Sequence, residues 1–332
     1  MLHVYDMKQN LKIKSFLVKG HNICQKLIFL ILPLISKVLV LLRMHRNVIN
    51  RLILIRKYSL NRDYDYSAFI ENLLNENKLT ALDVGAAGGF NVDNIFSKNY
   101  EKFINPILVE PINSEARELI KSGFFVINKG LWSTKCNKVL FVTGKNPGGT
   151  SMYKPRRDGF ELYNPDEEYY RLYEITEELQ VECETISNSL KRLNVRELDY
   201  LKIDAQGAEY EILQGLGNYR PVLMRIEVEI VSLYKEMPCW TKLVEYLYGL
   251  NYMTCQWDEL PSHMTQSPVV VDMLFIPNYL NKINQEMLLS RQSEFIVLML
   301  MFGQIQLLKI ASKKLKFKLD NKIQLLKEPY FH

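Results

Sequence analysis

Between residues 80 and 277 the hydrophobic positions follow two rhythms that take turns along the chain. Short apolar runs bounded by Gly, Pro or Asn read as strands: TALDVGA (80–86), NPILVEP (105–111), FFVINKGLW (124–132), LDYLKIDAQG (198–207), PVLMRIEVEIV (221–231), YMTCQW (252–257) and VVVDMLFIP (269–277). Stretches of mixed polarity between them read as helices: NVDNIFSKNY (91–100), NSEARELIKSG (113–123), AEYEILQGLG (208–217) and CWTKLVEYLYGLN (239–251). In the second of these, Asn113 is the candidate N-cap and Gly123 marks the end. Strands alternating with helices predict an α/β class with a mostly parallel sheet. The last two strands have no helix between them, which predicts an antiparallel pair at one edge.

Elsewhere the rhythm breaks. Residues 133–185 have a turn-rich centre, many tyrosines and mixed charge. They predict an insert at the mouth of the sheet, either a lid or specificity element or a plain surface excursion. Residues 27–42, LIFLILPLISKVLVLL, are apolar but interrupted by Pro33, Ser36 and Lys37. This run is shorter than the roughly 20 apolar residues a spanning helix needs. Lys19, Lys26, Arg43, Arg46 and Arg51 flank it, which suggests a helical segment lying on an anionic membrane surface. The alternative is a helical hairpin packed on the main domain or on a partner chain. No small-residue cleavage site follows, so a cleaved signal peptide is disfavoured. Near the other end, FIVLMLMF (295–302) precedes a lysine-rich stretch, 307–327. Leu315, Phe317 and Leu319 alternate there, so an amphipathic helix and a half-exposed strand both fit. The expected organisation is an extension over 1–60, a domain over 61–280 and a second extension over 281–332.

The chain has 332 residues, 48% of them hydrophobic, which suits one large domain with appendages. Its net charge of +5 hides a split. Residues 1–60 hold eleven Lys/Arg and one Asp, 61–280 hold 22 basic and 32 acidic residues, and 281–332 hold nine basic and four acidic. Basic ends around an acidic middle disfavour a nucleic-acid face on the central domain. The five cysteines show no CxxC spacing and the five histidines no HxxxH pair. A disulfide framework and a metal site are therefore disfavoured, and a reducing, cytoplasmic setting is the default.

Ligands of open α/β sheets bind off the carboxyl ends of the strands, at the switch point, and the first strand–helix turn is that place. The turn reads LDVGAAGGF, residues 82–90. A dinucleotide fingerprint fails here at Ala87 and Phe90, and a P-loop fails for want of a lysine. The pattern that fits is acid-x-Gly-x-x-x-Gly, at Asp83, Gly85 and Gly89. Glu110 ends the second strand, where an acid can accept hydrogen bonds from both hydroxyls of a ribose. Asp83 would orient an ammonium group through charge-assisted hydrogen bonds, or merely cap its strand. In RIEVEIV, alternation sets Ile226, Val228 and Ile230 on one side and Glu227 and Glu229 on the other. Two acids on one side favour a cleft over a packed face, with a Lys202–Glu229 salt bridge as the plain alternative.

Together with LVEP, which adds Pro111, and with GGTSM, LDYLKIDAQGAEYEILQG and IEVEIVSLYKEMP, the glycine turn resembles the FkbM family of methyltransferases over roughly residues 80–275. The resemblance implies a Rossmann-like class I methyltransferase fold, with seven strands ending in an antiparallel pair. It implies S-adenosylmethionine as cofactor, held by Asp83, Gly85, Gly89, Glu110 and Pro111, and an O-methylated product from a small molecule or a glycan sugar. It marks Lys202, Asp204, Gly207, Glu209 and Glu229 as motif positions. The family's D-x-G-A-N-x-G has Ala87 at its polar position here, which removes one side-chain contact to the cofactor and keeps the backbone cradle. That departure is the one feature favouring an inactive Rossmann-like module that serves as a membrane or assembly partner. Transfer to a hydroxyl calls for a base in hydrogen-bond reach. Asp204 is the first choice, Glu229 the second and His263, in a loop, the third. The basic, apolar ends would hold such an enzyme near membrane-borne glycan precursors.

Overall fold

The computed structural model describes residues 65–325, apart from 93, 145–146, 165 and 261–267. The apolar run at 27–42 and His263 lie outside the described residues. In chain order, α1 (Ser67–Leu74) leads into β1 (Leu79–Val84), a 3-10 turn (Lys98–Phe103), β2 (Ile104–Val109), α2 (Asn113–Lys121), β3 (Phe125–Ile127) and β4 (Gly130–Leu131). The insert holds β5 (Cys136–Thr143), α3 (Arg157–Tyr163), α4 (Glu167–Tyr170) and β6 (Ile175–Glu184). After α5 (Ile186–Arg192) come β7 (Tyr200–Ile203), α6 (Glu209–Gln214), β8 (Leu223–Glu229), α7 (Trp240–Gly249), β9 (Tyr252–Leu260) and β10 (Val270–Pro277). Four helices follow: α8 (Lys282–Ser290), α9 (Gln292–Met301), α10 (Ile305–Leu315) and α11 (Asn321–Leu325).

The main sheet has the order β3-β2-β1-β7-β8-β10-β9. All neighbours in it are parallel except β10, which runs antiparallel to both β8 and β9. The antiparallel strand therefore sits one in from the edge. Alternate residues of each central strand enter two different cores, as the pleat requires. Ala81, Tyr200 and Leu223 join one core with α1 and the C-terminal helices. Leu82, Leu201 and Met224 join the other, with Ile186, Leu190, Ile212 and Leu243 from α5, α6 and α7. The result is a three-layer α/β/α body, which is why the strands read as continuous apolar runs.

Beyond its polar first turn, helix α9 is apolar on every side, and every residue from Phe295 to Met301 is buried. Burial of that kind stabilises by ~1.5–3 kcal/mol per large side chain. Residues 305–315 form a helix rather than a strand, and Leu308, Ala311 and Leu315 pack into the same core as α9. Among the described residues no helix is long and apolar enough to cross a membrane.

Three local expectations need correction. Residues 91–100 are not a helix. Asn91 and Asn94 adopt left-handed backbone (φ 54° and 50°), and the Asn91 amide bonds the Phe96 carbonyl at 3.1 Å and Glu101 at 2.9 Å. Side chains that bond local backbone in this way compete with the helix. The single strand expected over 124–132 is two. β3 belongs to the main sheet and β4 pairs with β6 in a second sheet, of order β4-β6-β5. The chain leaves the main sheet at Asn128, whose amide bonds the carbonyls of Glu110 and Pro111 at 2.9 and 3.3 Å. Finally, Asn113 is the first residue of α2 and not its cap; Ile112 holds that place without a side-chain bond. The insert is built around the β5–β6 antiparallel pair.

Candidate functional site

On one face of the sheet, the amino half of β1, β7 and β8 is apolar and the carboxyl half is ionic. Asp83, Lys202 and Arg225 form one register row across these three strands. Lys202 Nζ lies 3.2 Å from Asp83 Oδ1 and 3.7 Å from Asp204 Oδ2, and Arg225 pairs with Asp272 of β10 at 2.5 Å. Burial drives the Asp83 carboxyl up against the pull of Lys202. Burial also pulls the Lys202 ammonium down, but Asp83 and Asp204 outweigh it and hold Lys202 charged. The sequence alternative that paired Lys202 with Glu229 is therefore wrong: Lys202 bridges β1 and the β7 tip.

The tips of β1 and β7 touch. The Asp204 N–H donates to the Val84 carbonyl at 3.0 Å. Gly85 sits at φ +80°, and a Cβ there would come within 1.8 Å of the Asp204 carbonyl oxygen, so only glycine lets the two turns meet. The turn continues to Gly89 (φ +116°), whose N–H closes it onto the Ala86 carbonyl at 3.0 Å. At the neighbouring tip of β2, Glu110 is buried and accepts the Ile112 N–H at 2.7 Å on Oε1. Burial pushes its carboxyl up to about 7, against that hydrogen bond. Pro111 follows, half-buried, with its carbonyl on Asn128.

Asp204 is the open acid of the set, with 29% of its side chain exposed against 3% for Asp83. Burial pushes Asp204 up, but hydrogen bonding with Glu227, the Lys202 charge and the Gln206 amide together hold it below the usual carboxylate range. Glu227 goes the other way: burial and then the Asp204 charge raise it well above its ordinary value. The two carboxyls are thus pushed in opposite directions, Asp204 toward its charged form and Glu227 toward its neutral one.

Glu209, at the start of α6, and Glu229, at the end of β8, form a second buried pair. Glu209 Oε1 accepts the N–H groups of Ala205 and Gly207 at 2.8 and 3.2 Å, fixing the turn after β7. Burial pushes Glu209 up to about 7, and burial together with Glu209 raises Glu229 well above its usual value. Both line a small, half-open cleft with Gly207, Met237 and Trp240. The structure therefore sorts the sequence candidates into a group at the tips of β1 and β2 (Asp83, Gly85, Gly89, Glu110, Pro111), a central acid at the tip of β7 (Asp204) and a flanking acid pair (Glu209, Glu229). Sequence reasoning missed Arg225, Asp272, Gln206, Tyr234 and Ser151. For Arg225 a signal exists: in LMRIEVE every second residue from Arg225 is charged.

A sheet of this order, with a glycine turn and strand-tip acids at the switch point between β1 and β7, defines a Rossmann-like domain of the methyltransferase type. A family model described as the methyltransferase FkbM domain matches residues 83–253, just over half of the chain. The chain belongs to the FkbM methyltransferase family and is a methyltransferase, which implies a methyl donor. Among curated proteins none matches the chain.

Proposed function

We propose that this methyltransferase takes its methyl group from S-adenosylmethionine and passes it to a hydroxyl, with Asp204 as general base. The observation that carries the proposal is the placement of Asp204: partly open, held below the usual carboxylate range by its hydrogen bonds and Lys202, and set beside the glycine turn at the switch point. The cofactor reading is supported by the cradle at 85–89, whose glycines keep side chains out of the turn, and by Glu110. Glu110 Oε1 is taken by Ile112, while Oε2 makes no hydrogen bond among the described residues and can accept from a ribose hydroxyl. When bound, S-adenosylmethionine supplies an electrophilic methyl group. The backbone of 85–89 would hold its methionine end and Glu110 its ribose. Lys202 keeps Asp83 and Asp204 in place and favours their charged forms. Asp204 accepts the proton of the acceptor hydroxyl as that oxygen attacks, and alignment of acceptor and donor contributes the rest of the acceleration. The acceptor class is a sugar hydroxyl of a glycan or a related small metabolite. The family resemblance supports this, as does the acidic middle region, which is unsuited to nucleic acid.

The test uses label from methyl-labelled S-adenosylmethionine and a panel of sugars and sugar nucleotides. Asp204→Asn should lower turnover by ~10²–10⁴ on any accepted substrate, with cofactor affinity nearly unchanged. Unchanged turnover would remove Asp204 from the mechanism and move the role to Glu229. Tight binding of a nicotinamide dinucleotide, with no S-adenosylmethionine binding, would overturn the cofactor assignment.

A further inference from the structure

Gln206 is the meeting point of the acid pair and the insert. Its Nε2 donates to Asp204 Oδ1 at 2.9 Å and to Glu227 Oε2 at 3.0 Å, which uses both amide hydrogens. Its Oε1 accepts the Tyr234 hydroxyl at 2.7 Å. The reverse orientation of the amide would set Oε1 against two carboxyl oxygens, so Tyr234 and the acids agree on one arrangement. Its backbone carbonyl accepts the Ser151 hydroxyl at 2.6 Å, and Ser151 is paired to Phe141 of β5 by backbone bonds of 2.8 and 3.2 Å. Gln206 is held in left-handed backbone at φ 54°, a conformation uncommon for a residue other than Gly, Asn or Asp. Tyr234 is buried with its ring edge-on to Phe160 of α3 at 5.9 Å, so it too belongs to the insert's packing.

We propose that Gln206 is a positioning residue: its amide, held one way round by Tyr234, sets the spacing and hydrogen bonding of the Asp204–Glu227 pair and ties that pair to the insert. Removal of the amide takes one donor from each carboxyl. Ionised Asp204 then loses a charge-assisted contact, and its titration moves toward neutral pH. The other groups facing the pair stay in place: Asp83 on β1, Lys202 on β7, Arg225 and Glu229 on β8, Asp272 on β10 and Glu209 on α6. The proposal rests on Asp204 acting as the base, and its test is chosen to be separable from that assignment.

The test is an infrared pH titration of the full-length protein, following the carboxylic-acid C=O bands. Subtraction of the Glu227→Gln and Asp204→Asn spectra assigns the bands to the two residues. Gln206→Leu should shift the Asp204 step upward by about one pH unit or more, the size expected for one charge-assisted hydrogen bond. Gln206→Glu should shift it in the same direction. Tyr234→Phe, which keeps the ring and frees the amide to turn, should give a smaller shift of the same sign. S-adenosylmethionine affinity should stay within about twofold in all three. A Gln206→Leu protein that melts like the wild type and titrates like it overturns the proposal; if that variant does not fold, an unshifted Tyr234→Phe does so. An upward shift alongside full turnover in Asp204→Asn would uphold the positioning role and sink Asp204 as base. No shift, with Asp204 essential, would do the reverse.

Discussion

Lys202→Met tests what holds the centre of the site together. The ammonium stands 3.2 Å from Asp83 and 3.7 Å from Asp204, with 7% of the Lys202 side chain exposed. At an effective dielectric of ~20, each contact is worth roughly 4–5 kcal/mol before desolvation is subtracted. Methionine keeps much of the stem and removes the charge. It leaves Asp83 buried without its cation, and breaking a buried pair from one side costs ~3–5 kcal/mol. Urea unfolding of wild type, Lys202→Met and Asp83→Asn/Lys202→Met near neutral pH measures this. The double variant should recover most of the loss, because the fully buried charge at position 83 is gone and the Asp204 carboxylate that remains is partly open. The sign with pH follows from burial, which already raises Asp83 above 3.8 and does so further once Lys202 is gone. A carboxyl raised in the folded state contributes stability that is full below its unfolded pKa and lost as pH rises through the folded one. The Lys202→Met deficit should therefore shrink toward pH ~4 and widen toward neutrality. A double variant no more stable than Lys202→Met, with a deficit flat in pH, would refute the ion pair as the source.

Glu110→Ala should weaken S-adenosylmethionine binding by ~1.5–3 kcal/mol in calorimetry. Wild-type affinity should fall as pH drops through about 7, where Glu110 becomes neutral and loses acceptor strength, and Glu110→Gln should flatten that dependence. Phe295→Ala should cost ~3–5 kcal/mol in chemical unfolding, since its ring is fully buried in the core beneath the sheet. A chain beginning at Arg62 should stay folded and lose sedimentation with anionic liposomes. Full-length protein that ignores such liposomes at low salt would refute membrane contact through the basic N-terminal run.

The alternation of strands and helices was legible because a two-sided parallel sheet demands unbroken apolar runs, and LDYLKID and PVLMRIEVEIV supply them. The break at 91–100 was not, because two asparagines with local side-chain bonds overrule an otherwise acceptable helical composition. The run at 295–302 carries no period at all. A segment buried on every side has no polar face to reveal whether it is helix or strand. Of the site, the strand-tip acids could be found from position alone. The partners that set their charge could not. Lys202 reaches Asp83 across a strand pair 119 residues apart in sequence, and Gln206 reaches Glu227 only through a left-handed turn. Composition cannot report either geometry.

The helices that seal one face of the sheet are also the last described part of the chain to be synthesised. β10 ends at Pro277 and α10 at Leu315, about 40 residues later. At ~5–20 residues per second, the ribosome delivers that stretch in roughly 2–8 s. During this interval Ala81, Tyr200 and Leu223 have α1 and the 98–103 turn to pack with, but not α9 and α10. The nascent chain thus passes through a stage in which every residue of the family match, 83–253, has been made and one face of its sheet is only partly covered. Chaperone capture competes with aggregation in that window, and a transcript truncated after Pro277 would never leave it.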